Sequence, residues 1–379
     1  MMKRKVLIVT LNDYIIYQPT ILNLYDFLSP YFDVNIISFK PQFATKQKDT
    51  IRNIVYLETN YLKSQLIQKI DFIFSKIIKL LKPESTYHHF YYNKYLPAIL
   101  KKELRKYRGH TDIVITVDFP ALYVAQNIFG PVHFLSLEID NHTNRYYKLI
   151  DTNKIKSVFI QSRMRYDYLF GNKKIRTFFV SNSPCFKVQN QLRQVRNDFI
   201  WAGAIDRRLA VMDCIEFFNQ YPQYKLILKG GGDKKTAKKI HKEYKHLLDS
   251  SKIIIDREYL PENLFIEYLS QFRIGFCFYD WSLIKESFNY QTAPSGKLLM
   301  YLAAATPVIA CNIPGFRFIE ESKAGILIDD YDPETINAAV KEIESNYDQY
   351  SINCYNLAKG LSFDKKVQPY VQFLLSEQE

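Results

Sequence analysis

The feature that most constrains the fold is an alternation of short apolar runs with helix-patterned segments, which the chain goes through twice. In the first half KVLIVTL (5–11) reads as a buried strand, PTILNLYDFLSPY (19–31) as a helix and FDVNIISF (32–39) as a second strand. DIVITVD (112–118), FPALYVAQNIF (119–129) and VHFLSLE (132–138) repeat the pattern, and SVFIQS (157–162) and TFFVSN (177–182) complete that half. After a polar, aperiodic stretch, SPCFKVQNQLRQVRND (183–198), it restarts. FIWAGAI (199–205), YKLILKGGG (224–232), SKIIID (251–256), RIGFCFYD (273–280), PVIAC (307–311) and AGILIDD (324–330) are then separated by helical segments. Continuously apolar strands between helices imply parallel sheets covered on both faces. The expectation is an α/β protein of two tandem Rossmann-like, doubly wound parallel-sheet domains. The boundaries expected are 1–182, a linker over 183–198, 199–360, and a closing helix over 361–379 that returns to the first domain. In such sheets ligands sit at the carboxyl ends of the strands, here a cleft between the halves.

Residues 293–315, APSGKLLMYLAAATPVIACNIPG, raise a more local question. The helix LLMYLAAA is short and wholly apolar, which suits burial against a sheet. Ser295 is placed to cap it, and the first turn offers unpaired N–H groups at the positive end of the helix dipole. Gly296 removes bulk and Lys297 adds a charge, a combination suited to a phosphate. An ordinary capped helix with a solvated lysine fits the same letters.

Composition narrows the classes. At 379 residues with net charge +12 the chain is large enough for two domains and asks for an anionic partner. It has no zinc-finger spacing, RNP-like motif or arginine-rich arm, so nucleic acid is not the expected partner. Cys185, Cys214, Cys277, Cys311 and Cys354 are widely spaced, and three of them lie in apolar runs. They read as free thiols of a reducing compartment, without a zinc site. His88-His89 lacks spaced partners, so no metal is expected. The opening MMKRKVLIVTLND reads as a first strand, and no stretch approaches the roughly 18 apolar residues of a membrane span. A cytoplasmic protein is expected.

YLKSQLIQKIDFIFSKIIKLLKP (61–83) stands apart. Leu62, Leu66, Ile70, Ile73, Ile77 and Leu81 form a helical stripe, and lysines 63, 69, 76, 79 and 82 are opposed only by Asp71. A basic amphipathic helix can lie on an anionic membrane surface, which would make the protein peripheral to the inner face of the membrane. A stripe packed into the core of its own domain is the default.

The second half resembles the donor-binding domain of GT-B-fold glycosyltransferases, a group that includes many bacterial polysaccharide and lipid-sugar enzymes. Gly203 in FIWAGAIDRR, the turn KLILKGGGD, the strand RIGFCFY and PSGKLLMYLAAATPVIACNIPGFRFIEESKAGILID carry the resemblance. The last is similar to a family pattern P-x-K-x-x-E-Y-x-A-x-G-x-P-V-I, from which it departs at Ser295, Met300 and Ala305. The first half is similar more loosely, through ITVDFPALYVAQ and FLSLEID, and would bind the acceptor. The resemblance implies a nucleotide-sugar donor held by Gly203, Arg207, Gly230, Gly231, Ser295, Gly296 and Lys297, with Arg208 as the lesser alternative to Arg207. A diphosphate needs just such cations and backbone donors.

Thr292 and Met300 occupy the two places where many retaining relatives carry glutamates. A methionine accepts hydrogen bonds weakly, so the ribose needs another partner, Glu286 or backbone, and retention cannot be inherited. Inverting transfer needs a base for the acceptor hydroxyl. Asp118 and Glu138 are the catalytic candidates at strand ends, each also readable as a cap or loop carboxylate. Asp13, His142 and Arg145 are the acceptor-binding candidates. The leading expectation is transfer of a sugar to a saccharide or lipid-linked acceptor in cell-surface glycan synthesis, with no cofactor beyond the donor. A sugar-nucleotide epimerase on the same fold, or a degenerate binding or scaffold subunit, are the alternatives.

Overall fold

The structure is a computed structural model that describes residues 3–11, 15, 18–40, 52–81, 90–139, 145–185 and 198–377. It contains two all-parallel sheets, as the double alternation predicts. The chain divides into two compact units, Met1–Val180 with Lys366–Glu379, and Ser181–Lys365. Most of the polar stretch 183–198 lies outside the described residues.

The first sheet has seven strands: β1 (Lys5–Val9), β2 (Asp33–Phe39), β3 (Ile54–Leu57), β4 (Ile113–Val117), β5 (Val132–Ser136), β6 (Ile155–Ile160) and β7 (Arg176–Phe179). Their order is β3-β2-β1-β4-β5-β6-β7. Every residue of β4 and β5 is buried, as a strand covered on both faces requires. β1 pairs with β2 on one side and β4 on the other, so connection reverses direction between β1 and β4. β3 has only four residues at the edge, too few for a period to appear in the sequence. The end of the chain completes this unit. Tyr370, fully buried, packs its ring 5.1 Å from Phe159 and 5.2 Å from Phe178, and Arg4 Nη1 donates to the Leu374 carbonyl at 3.0 Å.

The second sheet has six: β8 (Asp198–Ala202), β9 (Lys225–Lys229), β10 (Ile253–Asp256), β11 (Ile274–Cys277), β12 (Val308–Cys311) and β13 (Gly325–Ile328). The order is β10-β9-β8-β11-β12-β13, which puts its reversal between β8 and β11. Those two strands pair only through Ile274 with Phe199 and Gly275 with Ile200. Beyond that, the buried Tyr301 hydroxyl takes their place, accepting from the Ala202 N–H at 2.6 Å. Its ring lies against Gly275, where any Cβ would come within 2.7 Å of it. The sheet is thereby parted at the point where doubly wound folds bind ligands.

The basic helix forms over Tyr61–Leu81, but its stripe is not core. Leu62, Leu66, Ile70, Ile73, Ile77 and Leu81 are all exposed. No helix among the described residues is long and apolar enough to cross a membrane.

Candidate functional site

In the second unit β8 runs directly into Gly203, whose N–H donates to the Lys229 carbonyl at 2.9 Å. β9 runs into Gly230, whose N–H donates to the Asp256 carbonyl at 2.8 Å. Gly230 has φ +147° and a Cβ there would fall 2.0 Å from the Gly203 carbonyl oxygen, so only glycine lets the two turns touch. Gly230 thus serves the contact between these two turns. Gly231 differs: a Cβ on it would meet nothing within 4 Å, and its carbonyl accepts from the Ile205 N–H at 2.7 Å.

Lys297 lies in the first turn of the helix Gly296–Ala303. A Cβ on Gly203 would stand 3.7 Å from its Cδ, an ordinary contact, so the φ of +113° rather than lack of room is what favours glycine there. The residue as a whole is half-buried, and Nζ itself is buried with no hydrogen-bond partner among the described residues. It sits 4.1 Å from the centre of the Trp201 ring and 5.8 Å from that of Tyr279. Trp201 is fixed by its Nε1–H donating to the Ala204 carbonyl at 3.2 Å. Burial draws the lysine pKa below its ordinary value, against the opposing influence of the Cys277, Cys311 and Cys214 thiols. Two aromatic faces partly replace the lost water. A buried ammonium without an anion remains costly, and an arriving phosphate would remove that cost.

Ser295 takes the cap position, but its side chain makes no capping hydrogen bond. Its hydroxyl instead lies beside Cys277 and Tyr279. Ser295 thus holds the expected cap position without the capping bond, and among the described residues no side chain caps the first N–H groups of that helix. Gly296 has open space around it.

The two arginines after β8 separate cleanly. Arg208 is forked onto Asp206, with Nη2 2.7 Å from Oδ2 and Nε 3.1 Å from Oδ1. The guanidinium holds the Asp206 carboxyl below its ordinary range. Arg207, exposed, has no ion pair among the described residues, and its backbone N–H donates to Thr236 Oγ1 at 3.3 Å. Of the two, Arg207 is the one able to turn to a ligand. Thr292 is buried and donates its hydroxyl back to the Phe288 carbonyl at 2.7 Å, while Met300 packs against the core. Glu286 is exposed at the end of the helix Trp281–Glu286.

In the first unit, Asp118 directly follows β4 at the reversal point, opening the helix Asp118–Phe129 with φ +59°, a left-handed conformation that a non-glycine residue adopts at a cost. Its Oδ1 accepts from Leu137 N at 2.9 Å and Glu138 N at 3.0 Å. The two catalytic candidates are thus brought together, with Asp118 holding the turn that carries exposed Glu138. Beneath them Arg165 is fully buried and donates to the Leu137 carbonyl at 2.8 Å. Burial lowers its pKa to about 10, with Glu138 and then Asp118 acting to raise it. Of the acceptor candidates, Asp13 and His142 lie outside the described residues. Arg145 opens a short 3-10 turn, Arg145–Lys148, of which only its backbone is described. Among the described residues no group of three or more His, Cys, Asp or Glu is placed to hold a metal ion.

The sequence reading gave no role to Trp201, Tyr279 or Tyr301. Each reads as an ordinary apolar residue of a strand or helix, and only the tertiary fold makes the first two the bed of Lys297.

Two tandem parallel sheets with these reversal points give the chain the GT-B fold, and solved structures agree. Sucrose-phosphate synthase from Thermosynechococcus elongatus superposes with a TM-score of 0.68 at 14% identity, covering 99% of each chain. Anabaena HepE in complex with UDP-glucose gives 0.66 at 14% identity, over 98% of this chain and 99% of that one. The UDP-forming alpha,alpha-trehalose-phosphate synthase from Burkholderia vietnamiensis gives 0.64 at 10%, over 98% and 100%. These neighbours are GT-B glycosyltransferases. No protein-family profile matches the chain, and no curated protein matches it by sequence.

Proposed function

We propose that the protein is a glycosyltransferase that moves a sugar from a nucleoside-diphosphate donor to a saccharide or lipid-linked saccharide in cell-surface glycan synthesis. The observation that carries this reading is the buried ammonium of Lys297, without an anionic partner among the described residues, at a helix start that Ser295 does not cap, beside Gly203 at the reversal point of the second sheet. Lys297, the N–H groups at Ser295–Gly296 and the exposed guanidinium of Arg207 meet the diphosphate, with Gly203 and Gly231 leaving room for it. These groups answer the diphosphate charge without a metal, so a chelator should leave turnover unchanged. Uridine diphosphate is the first donor to try, since HepE is described with UDP-glucose and the trehalose-phosphate synthase as UDP-forming. On the first unit we assign deprotonation of the acceptor hydroxyl to Asp118 and Glu138, and acceptor contacts to Asp13, His142 and Arg145. We place the protein in the cytoplasm, peripheral to the inner face of the membrane when its acceptor is lipid-linked.

The loss of the two family glutamates supports a second reading, a binding or scaffold subunit without turnover. Neither Thr292, bonded to its own helix, nor Met300 can do a carboxylate's work. Product analysis separates the readings. UDP release from UDP-sugars that depends on added acceptor supports transfer. Conversion of the donor alone supports an epimerase, and binding with no conversion under any condition supports the scaffold.

A further inference from the structure

The helix Tyr61–Leu81 is built inside out. Ser64, Gln68, Asp71 and Ser75 recur at helical spacing, and this polar stripe is the side turned toward the unit: Ser64 and Asp71 are buried, Gln68 and Ser75 half-buried. Asp71 fastens it, accepting from the Phe90 N–H at 2.9 Å and the Tyr91 N–H at 2.8 Å. The opposite side carries Leu62, Leu66, Ile70, Ile73, Ile77 and Leu81, with exposures from 43% to 77%. A helix whose outer face met only water would carry the reverse pattern. Exposed Phe90 and Tyr92 extend the apolar area, which exceeds scattered surface hydrophobes and marks an interaction surface.

We propose that this face docks on an anionic lipid surface. The argument for that occupant is charge. Lys63, Lys69 and Lys76 are exposed on the same helix, and its one acid, Asp71, points inward, so no carboxylate of the helix faces outward. Lys76 keeps Nζ 4.5 Å over the Phe72 ring, its stem along apolar surface and its ammonium free to reach headgroups. A second copy of the chain would oppose lysine to lysine across the same stripe. Anionic headgroups over acyl chains match both halves of the pattern. A 21-residue helix is about 30 Å long, and with a charged flank it lies in the interface.

This deepens the reading above only in naming the surface that meets a lipid-linked acceptor. It is tested without donor or acceptor, so either can fail alone. Purified full chain is floated with vesicles of phosphatidylcholine plus phosphatidylglycerol, and of phosphatidylcholine alone. The expected result is binding at least about tenfold stronger to the anionic vesicles, weakened by salt. Ile73→Asp with Leu66→Asp should abolish it, and Lys69→Glu with Lys76→Glu should lower it by about tenfold or more. Unchanged circular dichroism and melting would show that these exposed variants fold. Equal flotation of the aspartate variant, or no flotation on either vesicle, overturns the proposal. So does a dimer in sedimentation that Ile73→Asp dissolves, because a second copy then covers the face.

Discussion

Lys297 Nζ lies 4.1 Å from the centre of the Trp201 ring, buried and without a hydrogen-bond partner among the described residues. Nothing in a stable fold requires that pairing, because a methionine would fill the same space without a charge to desolvate. Its folded pKa is depressed, so the unfolded chain holds the proton more firmly and the lysine subtracts from stability at neutral pH. Lys297→Met should therefore raise the melting temperature of the nucleotide-free protein, by the few degrees that about 1 kcal/mol gives a domain of this size. A fall instead would make the lysine part of the architecture.

Arg207 and Arg208 should behave oppositely. Arg208→Ala removes a partner of Asp206 and should leave nucleotide affinity within about twofold, since the Arg208 guanidinium is already engaged by that carboxylate. Arg207→Ala should lower nucleotide affinity by about tenfold or more, the range for a charge-assisted contact, and leave melting unchanged. Calorimetric titration and thermal melting of the two variants check this.

Two adjacent glycines divide packing from binding. Gly230→Ala puts a Cβ 2.0 Å from the Gly203 carbonyl at φ +147°, and should cost about 3 kcal/mol or more. Gly231→Ala meets nothing and should cost less than about 1 kcal/mol. Urea unfolding monitored at matched m-values distinguishes them.

The first unit should lose stability in mild acid. His133 is buried on β5, with Nδ1 2.8 Å from Ser157 Oγ and Nε2 3.3 Å from Glu377 Oε2. Burial holds its pKa below the ordinary value although Glu377 acts to raise it, and His133 in turn lowers the Glu377 carboxyl. As pH falls below about 6.5 the unfolded chain takes up the imidazole proton before the folded one does, and stability drops. The Glu377 contribution is also lost on acidification, at lower pH. The melting temperature should decline between about pH 7.5 and 5.5, and His133→Asn should flatten that decline.

The two sheets are legible in the sequence because a doubly covered strand must be apolar throughout, as IVITV in β4 and VHFLS in β5 nearly are. Gly203 and Lys297 stand out because a strand end and a helix start are local events. What is illegible depends on distant packing. Nothing local announces the left-handed Asp118, which the turn at Leu137–Glu138 stabilises, or the Tyr301 hydroxyl parting β8 from β11. The helix Tyr61–Leu81 shows the limit most plainly: periodicity gives its stripe, but which side faces the unit is decided by Asp71 and the amides of Phe90 and Tyr91.

The most direct measurement is calorimetric titration with UDP, GDP, ADP and CMP, run on the native protein and on Lys297→Met. The account predicts that one nucleotide binds, and that the substitution weakens it at least about tenfold while the protein stays folded. Absence of binding by all four to folded protein, or equal affinity in the variant, would contradict the donor site.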